Sequence, residues 1–313
     1  MVMITGDFRQ IRTGALRRLG RELSQNRKTG RGKGFSLFQN GLRKLLVLLL
    51  SMRDDGPLGI LGFARMGAEK ALMAPQGFFQ RRPENAYAHP DGLVDLGGSM
   101  NAARLIGAYA QGVYPWNHAS PLKWWSPSKR AVLFFGDLRI EKNLRRLLRQ
   151  KRYSVTFDVD FESVMRGCAR PRPGHLPVTW IDEDTVRAYR RLFALGRAHS
   201  VEVWDRDGTL AGGLYGVVQG GVFVIESQFA EMRDASKVGF VTLMRHLREW
   251  GFVAADGKVM TGHLANFGMK DISRSAYLGL LHASREHQVP QIWLADPALD
   301  PAEWKPEDDY LTV

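Results

Sequence analysis

The run from His199 to Asp256, HSVEVWDRDGTLAGGLYGVVQGGVFVIESQFAEMRDASKVGFVTLMRHLREWGFVAAD, decides the fold class. His199-Ser-Val-Glu-Val-Trp204 alternates apolar and polar residues as a strand does, and Asp205-Arg-Asp-Gly208 has the chemistry of a turn. Thr209 to Val218 reads as a second strand, left bare of side chains at Gly212, Gly213 and Gly216, which implies a close backbone approach there. After the Gln219-Gly-Gly221 turn, Val222-Phe-Val-Ile-Glu-Ser227 is an apolar strand with one carboxylate, Glu226. Ala235 to Trp250 is helical in period, with Leu243, Leu247 and Trp250 on one face, Asp234 or Ser236 as its cap and Gly251 as its stop. Phe252-Val-Ala-Ala-Asp256 is a further apolar strand that ends in an acid. Strands interleaved with a helix make this an α/β unit.

Two strands that each end in a carboxylate are the main chemical clue of the spacing. Glu226 and Asp256 can orient a nucleophile or take a proton; the alternative is that they cap backbone amides or pair with Lys237 and Lys258. No Walker loop, nucleophile elbow or dinucleotide fingerprint occurs, and His282 and His287 stand five apart without an acidic partner, so no metal site is expected.

The charge is unevenly distributed. The chain has 313 residues and a net charge of +12, and residues 1–82 hold 16 Lys+Arg against 5 Asp+Glu. That region, with its glycine-interrupted run Arg27-Lys-Thr-Gly-Arg-Gly-Lys-Gly34, is expected to be a disordered basic extension: a solvated arm that can add non-specific attraction to nucleic acid, or the product of a start codon set upstream of Met66, Met73 or Met100. Leu42 to Met52 resembles a signal core but is short and lacks a cleavage site. The longest apolar run, Leu45 to Leu50, falls far below the roughly 20 residues a membrane span needs. Residues 296–313, with six acids and one Lys, read as a solvated acidic tail. A single cysteine, Cys168, excludes a disulfide framework and points to a reducing compartment, so a cytoplasmic location is expected.

Towards the N-terminal side of the α/β unit, Ser99 is a candidate N-cap for a helix from Ala102 to Gln111 that Gly112 ends. Between Val113 and Pro127 lie three Trp and three Pro, a rigid loop suited to stacking on a nucleobase or, alternatively, to plugging two domains together. Further on, Ile140, Leu144, Leu147 and Leu148 fall on one helical face and Lys142, Arg145, Arg146 and Arg149 on the other. A stripe of one sign suits a phosphate backbone.

Val113-Tyr-Pro-Trp-Asn, Lys123-Trp-Trp-Ser-Pro, Thr179-Trp-Ile, His199-Ser-Val-Glu-Val-Trp, Gly212-Gly-Leu-Tyr-Gly-Val, Glu226-Ser-x-Phe and Asp234-Ala-Ser-Lys occur in the order seen in bacterial leucyl/phenylalanyl-tRNA–protein transferases, and the resemblance covers residues 86 to 280. It implies an α+β architecture: a small N-terminal domain (83–128) followed by a mixed-sheet catalytic domain (129–295) similar to GCN5-related (GNAT-like) acyltransferases. It also implies transfer of Leu or Phe, with Met a further candidate, from aminoacyl-tRNA to proteins with N-terminal Arg or Lys, marking them for N-end-rule degradation. The resemblance places the 3′-terminal adenosine near Trp116 and Trp180 with Tyr109 close by. It places the amino acid side chain in a pocket of Leu214, Phe223, Gln228 and Phe240, the acceptor stem on Lys142, Arg145, Arg146 and Arg149, and the chemistry at Asp256, Glu226 and the position of Lys258. No cofactor is implied beyond the charged tRNA, and a monomer without membrane attachment is expected.

The sequence departs from the family pattern near this site. The family's Asp-Cys-Gln is Asp256-Gly-Lys258, its Gly-Glu-Ser is Ile225-Glu-Ser227, a pocket Met is Gln228 and its Ser-Leu-Gly is Asn266-Phe-Gly268. Residues i and i+2 of a strand share a face, so an Asp256–Lys258 ion pair is expected. An ammonium there can stabilise an oxyanion, or act as a base if burial lowers its pKa. Three readings stay open: the family's transferase, an aminoacyl-tRNA-dependent acyltransferase with another amino acid or acceptor, and a catalytically lost binder of aminoacyl-tRNA.

Overall fold

The computed structural model describes residues 56–72, 78–116, 121–171 and 179–305. Helix α1 (Gly56–Leu72) is followed by strand β1 (Leu93–Leu96), helix α2 (Ala102–Ala110) and strands β2 (Tyr114–Pro115) and β3 (Lys123–Trp125). The small sheet has the order β1-β3-β2 and is antiparallel. Then come β4 (Lys129–Leu133), α3 (Lys142–Arg149), β5 (Ser154–Phe157), α4 (Phe161–Ala169), α5 (Glu183–Ala194), β6 (Ala198–Trp204), β7 (Leu210–Gln219), β8 (Val222–Ala230), α6 (Ala235–Glu249), β9 (Ala254–Lys258), α7 (Gly262–Asn266), β10 (Lys270–Ser273) and α8 (Arg274–Ala283). The seven strands β10-β4-β9-β8-β7-β6-β5 form one sheet. Only β8 and β9 run parallel, which makes it a mixed sheet in an α+β protein.

One core cluster joins Met66 of α1 and Trp124 and Trp125 of the small sheet to Val164 of α4, Tyr189 of α5 and Tyr215 of the large sheet. A second cluster fills the other face, where Leu144 and Leu148 of α3 and Phe240, Leu243 and Leu247 of α6 cover Leu214, Phe223 and Ile225. The two sheets therefore share apolar burial, the largest favourable term in folding.

Several expectations are corrected here. Part of the presumed extension is packed structure: Met66 of α1 is fully buried, Lys70 reaches Asp95 at 2.7 Å, and Glu69 holds Arg81 at 2.8 Å. Residues 1–55, including the basic run at 27–34 and the apolar stretch at 42–52, lie outside the described residues. The acidic tail is packed as far as Lys305, because Leu299, Ala302 and Trp304 are buried and the Trp304 indole donates to the Leu138 carbonyl at 3.3 Å. Asn101, not Ser99, caps α2: its side chain accepts the Arg104 N–H, while the Ser99 hydroxyl accepts from Asn101. The glycines of β7 admit neighbouring protein rather than a ligand. A Cβ on Gly213 would meet the Val201 carbonyl at 2.6 Å, and one on Gly216 the Val224 carbonyl at 2.4 Å.

Two irregularities of the large sheet position the site. Tyr215 pairs with Ser227 but Gly216 with Ile225, so Glu226 is the extra residue of a bulge in β8. Val132 pairs with Asp256 but Ala131 with Lys258, which leaves Gly257 extra in β9. Bulges re-aim the side chains beside them. The parallel pairing of β8 and β9 stops at Val224–Asp256, and beyond it the two strands diverge around a cavity.

Candidate active site

The cavity encloses about 760 Å³ between the second half of β8 from Ile225, with Glu231 just beyond it, and the end of β9 at Gly257 and Lys258, with Val259 following. Tyr114, Trp116 and Trp180 bring aromatic rings to its wall, and Gly167 and Cys168 of α4 help close it. A second cavity of about 430 Å³ lies beside Gln219 at the other end of β8, under Arg81, Arg82, His282 and Arg285.

Glu226 is the buried acid of the larger cavity. Its side chain has no solvent exposure, and its Oε2 accepts from the Tyr189 hydroxyl at 3.1 Å and from the Lys258 ammonium at 3.0 Å. Tyr109 and Tyr189 hydroxyls are 2.5 Å apart. Since Tyr189 spends its proton on Glu226, Tyr109 is the donor to Tyr189. Burial first, and the charge of Glu226 next, push both phenols well above their usual pKa, so both stay donors. Oε1 of Glu226 is buried and accepts no hydrogen bond among the described residues. A buried acceptor left in this state favours any donor that enters the cavity.

Lys258 lies in the left-handed region at φ +67°, and its N–H donates to Asp256 Oδ1 at 2.7 Å. Its ammonium donates to the carbonyl and carboxylate of Glu226 and lies 5.2 Å from the Tyr114 ring and 5.7 Å from the Trp180 ring. The expected Asp256–Lys258 ion pair is therefore corrected. The bulge at Gly257 breaks the period of two, so the ammonium turns to Glu226 while only the backbone amide serves Asp256.

Asp256 does not line the cavity. Its side chain is fully buried, with Arg130 Nε 3.0 Å from both oxygens, Arg130 Nη2 2.7 Å from Oδ2, and the Tyr277 hydroxyl donating to Oδ2 at 2.7 Å. Arg130 also donates to the Gly112 carbonyl at 2.8 Å, tying the end of α2 to the large sheet. Burial works against the guanidinium charge, but Asp256 outweighs it and pushes the Arg130 pKa up; burial pushes the Tyr277 pKa up as well, keeping that phenol a donor. Both Asp256 oxygens are taken by donors, among them the Lys258 backbone N–H, so the carboxylate is turned to Arg130 and Tyr277 and not to the cavity.

The other expected site residues divide in the same way. Trp116 and Trp180 line the cavity, whereas Tyr109 lies one layer behind it and Tyr114 takes the wall position. Of the expected pocket, Gln228 lines the cavity, whereas Leu214, Phe223 and Phe240 are residues of the second core cluster; Ile225 belongs to that cluster and also reaches the cavity wall. Phe223 packs 5.5 Å from Trp293, and Phe240 packs 4.4 Å from Phe267. On α3, Lys142, Arg146 and Arg149 are exposed, but Arg145 donates to the carbonyls of Ala302 and Trp304 at 2.7 and 2.9 Å and so anchors the C-terminal segment. Arg130, Tyr189 and Tyr277 carry no local motif, and Tyr114 stood unremarked within Val113-Tyr-Pro-Trp116. Among the described residues no cluster of three or more His, Cys, Asp or Glu is placed to hold a metal, and no helix is long and apolar enough to cross a membrane.

A mixed sheet that parts at its parallel pair around an aromatic cavity, with a buried carboxylate held by a lysine, suits a planar, polar ligand. Comparison with known proteins narrows this class. The family described as leucyl/phenylalanyl-tRNA protein transferase matches residues 132–282, and the N-terminal domain of the same family matches residues 98–128. A leucyl/phenylalanyl-tRNA–protein transferase of Pseudomonas syringae pv. syringae (strain B728a) is 46% identical over 213 residues, 68% of this chain and 92% of the relative. One of Pseudomonas fluorescens (strain SBW25) is 47% identical over 203 residues, 64% of this chain and 88% of the relative. The solved structure of L-PGS from Bacillus licheniformis overlaps 51% of this chain and 66% of its own at 10% identity and a TM-score of 0.34. The chain belongs to the leucyl/phenylalanyl-tRNA–protein transferase family and is an aminoacyl-tRNA-dependent transferase.

Proposed function

We propose that the cavity between β8 and β9 holds the aminoacylated 3′ end of tRNA, and that Glu226 presents the α-amino group of an acceptor protein to the ester. The observation that carries this reading is Glu226, a buried carboxylate whose Oε1 accepts no hydrogen bond among the described residues, in the lining of a cavity whose wall also bears Trp116, Trp180 and Tyr114. Trp116 and Trp180 supply faces on which an adenine can stack, at about 1–3 kcal/mol per base. The parting of a parallel strand pair beside a bulge supports the GNAT-like description of this domain.

The chemistry asked of the protein is modest. The amine nitrogen attacks the ester carbonyl, the C–O bond to the ribose breaks, the nitrogen gives up a proton, and the ribose hydroxyl leaves with one. An α-amino group has a pKa of about 7.7–8.0, so an appreciable fraction is already neutral near pH 7.5 and no strong base is needed. Glu226 Oε1 orients the amine by accepting one of its N–H bonds, and the Lys258 ammonium lies where it can stabilise charge developing on the carbonyl oxygen. Leu, Phe or Met is the amino acid carried, and Ile225 and Gln228 in the wall favour a preference different from the family's. Proteins with N-terminal Arg or Lys are the acceptors, no diffusible cofactor takes part, and a cytoplasmic place follows from the use of charged tRNA.

Incubation with tRNA charged with labelled Leu, Phe or Met and a peptide beginning with Arg tests the reading. Label is expected on the peptide's first residue; binding of charged tRNA without any transfer would overturn it in favour of a binding role. The exposed cations of α3 give a separate expectation. Replacing Lys142, Arg146 or Arg149 by Ala lowers the slope of log K against log[salt] for tRNA by up to about 0.7–0.9 each. Arg145→Ala leaves that slope unchanged and instead lowers the melting temperature, because two carbonyls lose their donor.

A further inference from the structure

The cavity is already charge-balanced by its own side chains. Its carboxylates among the described residues are Glu226 and Glu231, and its permanent cations are Lys258 and Arg170. Each acid holds one cation: Glu226 holds Lys258 at 3.0 Å, and Glu231 holds Arg170 at 2.8 Å. The two pairs differ in burial. Arg170 and Glu231 are half exposed, and such a pair separates at little cost, whereas Glu226 is wholly buried and Lys258 nearly so.

Among the described residues of the cavity, a cationic side chain brought in by an acceptor thus meets no carboxylate that lacks a cation. The Glu226 side chain has no solvent exposure, so at this acid an incoming cation must open the packing to reach Oε1 while the Lys258 ammonium stays on the other oxygen, or it must drive Lys258 off. Two cations on one carboxylate repel at close range in a site that screens poorly. A neutral side chain, or the neutral amine itself, donates to Oε1 without that repulsion.

We propose that Lys258 is an acceptor-selectivity residue, a tethered ammonium that competes with the acceptor's own cationic first side chain for Glu226 and so narrows the preference for Arg and Lys over uncharged residues. This rests on the transferase reading and concerns the class of acceptor that the same cavity takes. The geometry holds Lys258 in this role from three sides: Asp256 fixes its left-handed backbone, Glu226 binds its ammonium, and Tyr114 and Trp180 flank it.

The test compares peptides that differ only in their first residue, Arg, Lys, Gln or Met, with labelled Leu-tRNA as donor. The readout is the ratio of kcat/KM for the Arg peptide to that for the Gln peptide, which does not depend on how much overall activity a variant keeps. Lys258→Gln is expected to raise that ratio about tenfold or more, and Lys258→Arg to leave it within about twofold of the natural protein, since like-charge juxtaposition is strongly disfavoured. Lys258→Met, which is uncharged but of similar length, is expected to follow Lys258→Gln and stands in for it if the glutamine variant melts early. An unchanged ratio in Lys258→Gln and Lys258→Met, with transfer continuing, overturns the proposal and leaves the transferase reading intact. Absence of label on all four peptides with every protein overturns the transferase reading, and the proposal with it.

Discussion

Glu226→Gln is expected to lower kcat/KM for aminoacyl transfer by about 10²–10³, the loss typical of removing one preorganised polar contact to a reacting group. The carboxylate serves three partners at once: Tyr189, Lys258 and, on the proposed reading, the acceptor amine. A neutral amide has one acceptor oxygen to divide among them, and its NH2 faces donors. The substitution also leaves the Lys258 ammonium in a buried place without its charge partner, which destabilises the fold and adds to the loss. The double variant Glu226→Gln, Lys258→Gln separates the two effects. It is expected to recover melting temperature relative to Glu226→Gln alone and to recover none of the transfer. Recovery of transfer along with stability would show that Glu226 serves only to neutralise Lys258.

Arg130→Met is expected to destabilise the fold by about 3–5 kcal/mol, the usual cost of removing one partner from a buried ion pair. Arg130 is 1% exposed and Asp256 0%, so no water replaces the lost donors. The same guanidinium also holds the Gly112 carbonyl, so the join between α2 and the large sheet loosens with it. Arg130→Lys is not expected to rescue, since one ammonium cannot reproduce the fork in which Nε, shared by both oxygens, and Nη2 reach Asp256 while Nη1 reaches Gly112. Urea unfolding reads the effect directly, and a midpoint within about 0.5 kcal/mol of the natural protein, an ordinary surface value, would show that the pair contributes little. Transfer is expected to fall with it, because Asp256 without Arg130 no longer fixes the Lys258 amide.

The strands and helices from His199 to Asp256 were legible in the sequence because each follows from a local rule: alternation along β6, turn chemistry at Gly208, helical period from Ala235 onward. Glu226 was legible for a similar reason, as one charge in an apolar strand. The cationic face of α3 and the tryptophan loop were likewise visible from spacing alone, and the ordered motifs carried the family. By contrast, the boundary at residue 82 was misplaced because net charge reports solvation on average, and α1 buries Met66 on a helix whose other faces are exposed. The acidic residues near the C-terminus masked Trp304 in the same manner.

What only the tertiary structure decided is which side chain meets which. Arg130 and Asp256 are 126 residues apart and become partners through the antiparallel pairing of β4 with β9. Tyr189 reaches Glu226 from α5, and Arg145 leaves the cationic stripe for carbonyls 157 and 159 residues away. The single extra residues at Glu226 and Gly257 matter most, because a period of two assigns faces only while the register is unbroken. By itself the sequence determined the elements from His199 to Asp256, the basic helix, the acid at Glu226 and the family. The slips in register, set by pairing between strands far apart in the chain, turned Lys258 away from Asp256 and onto Glu226, and withdrew Asp256 from the cavity into the core.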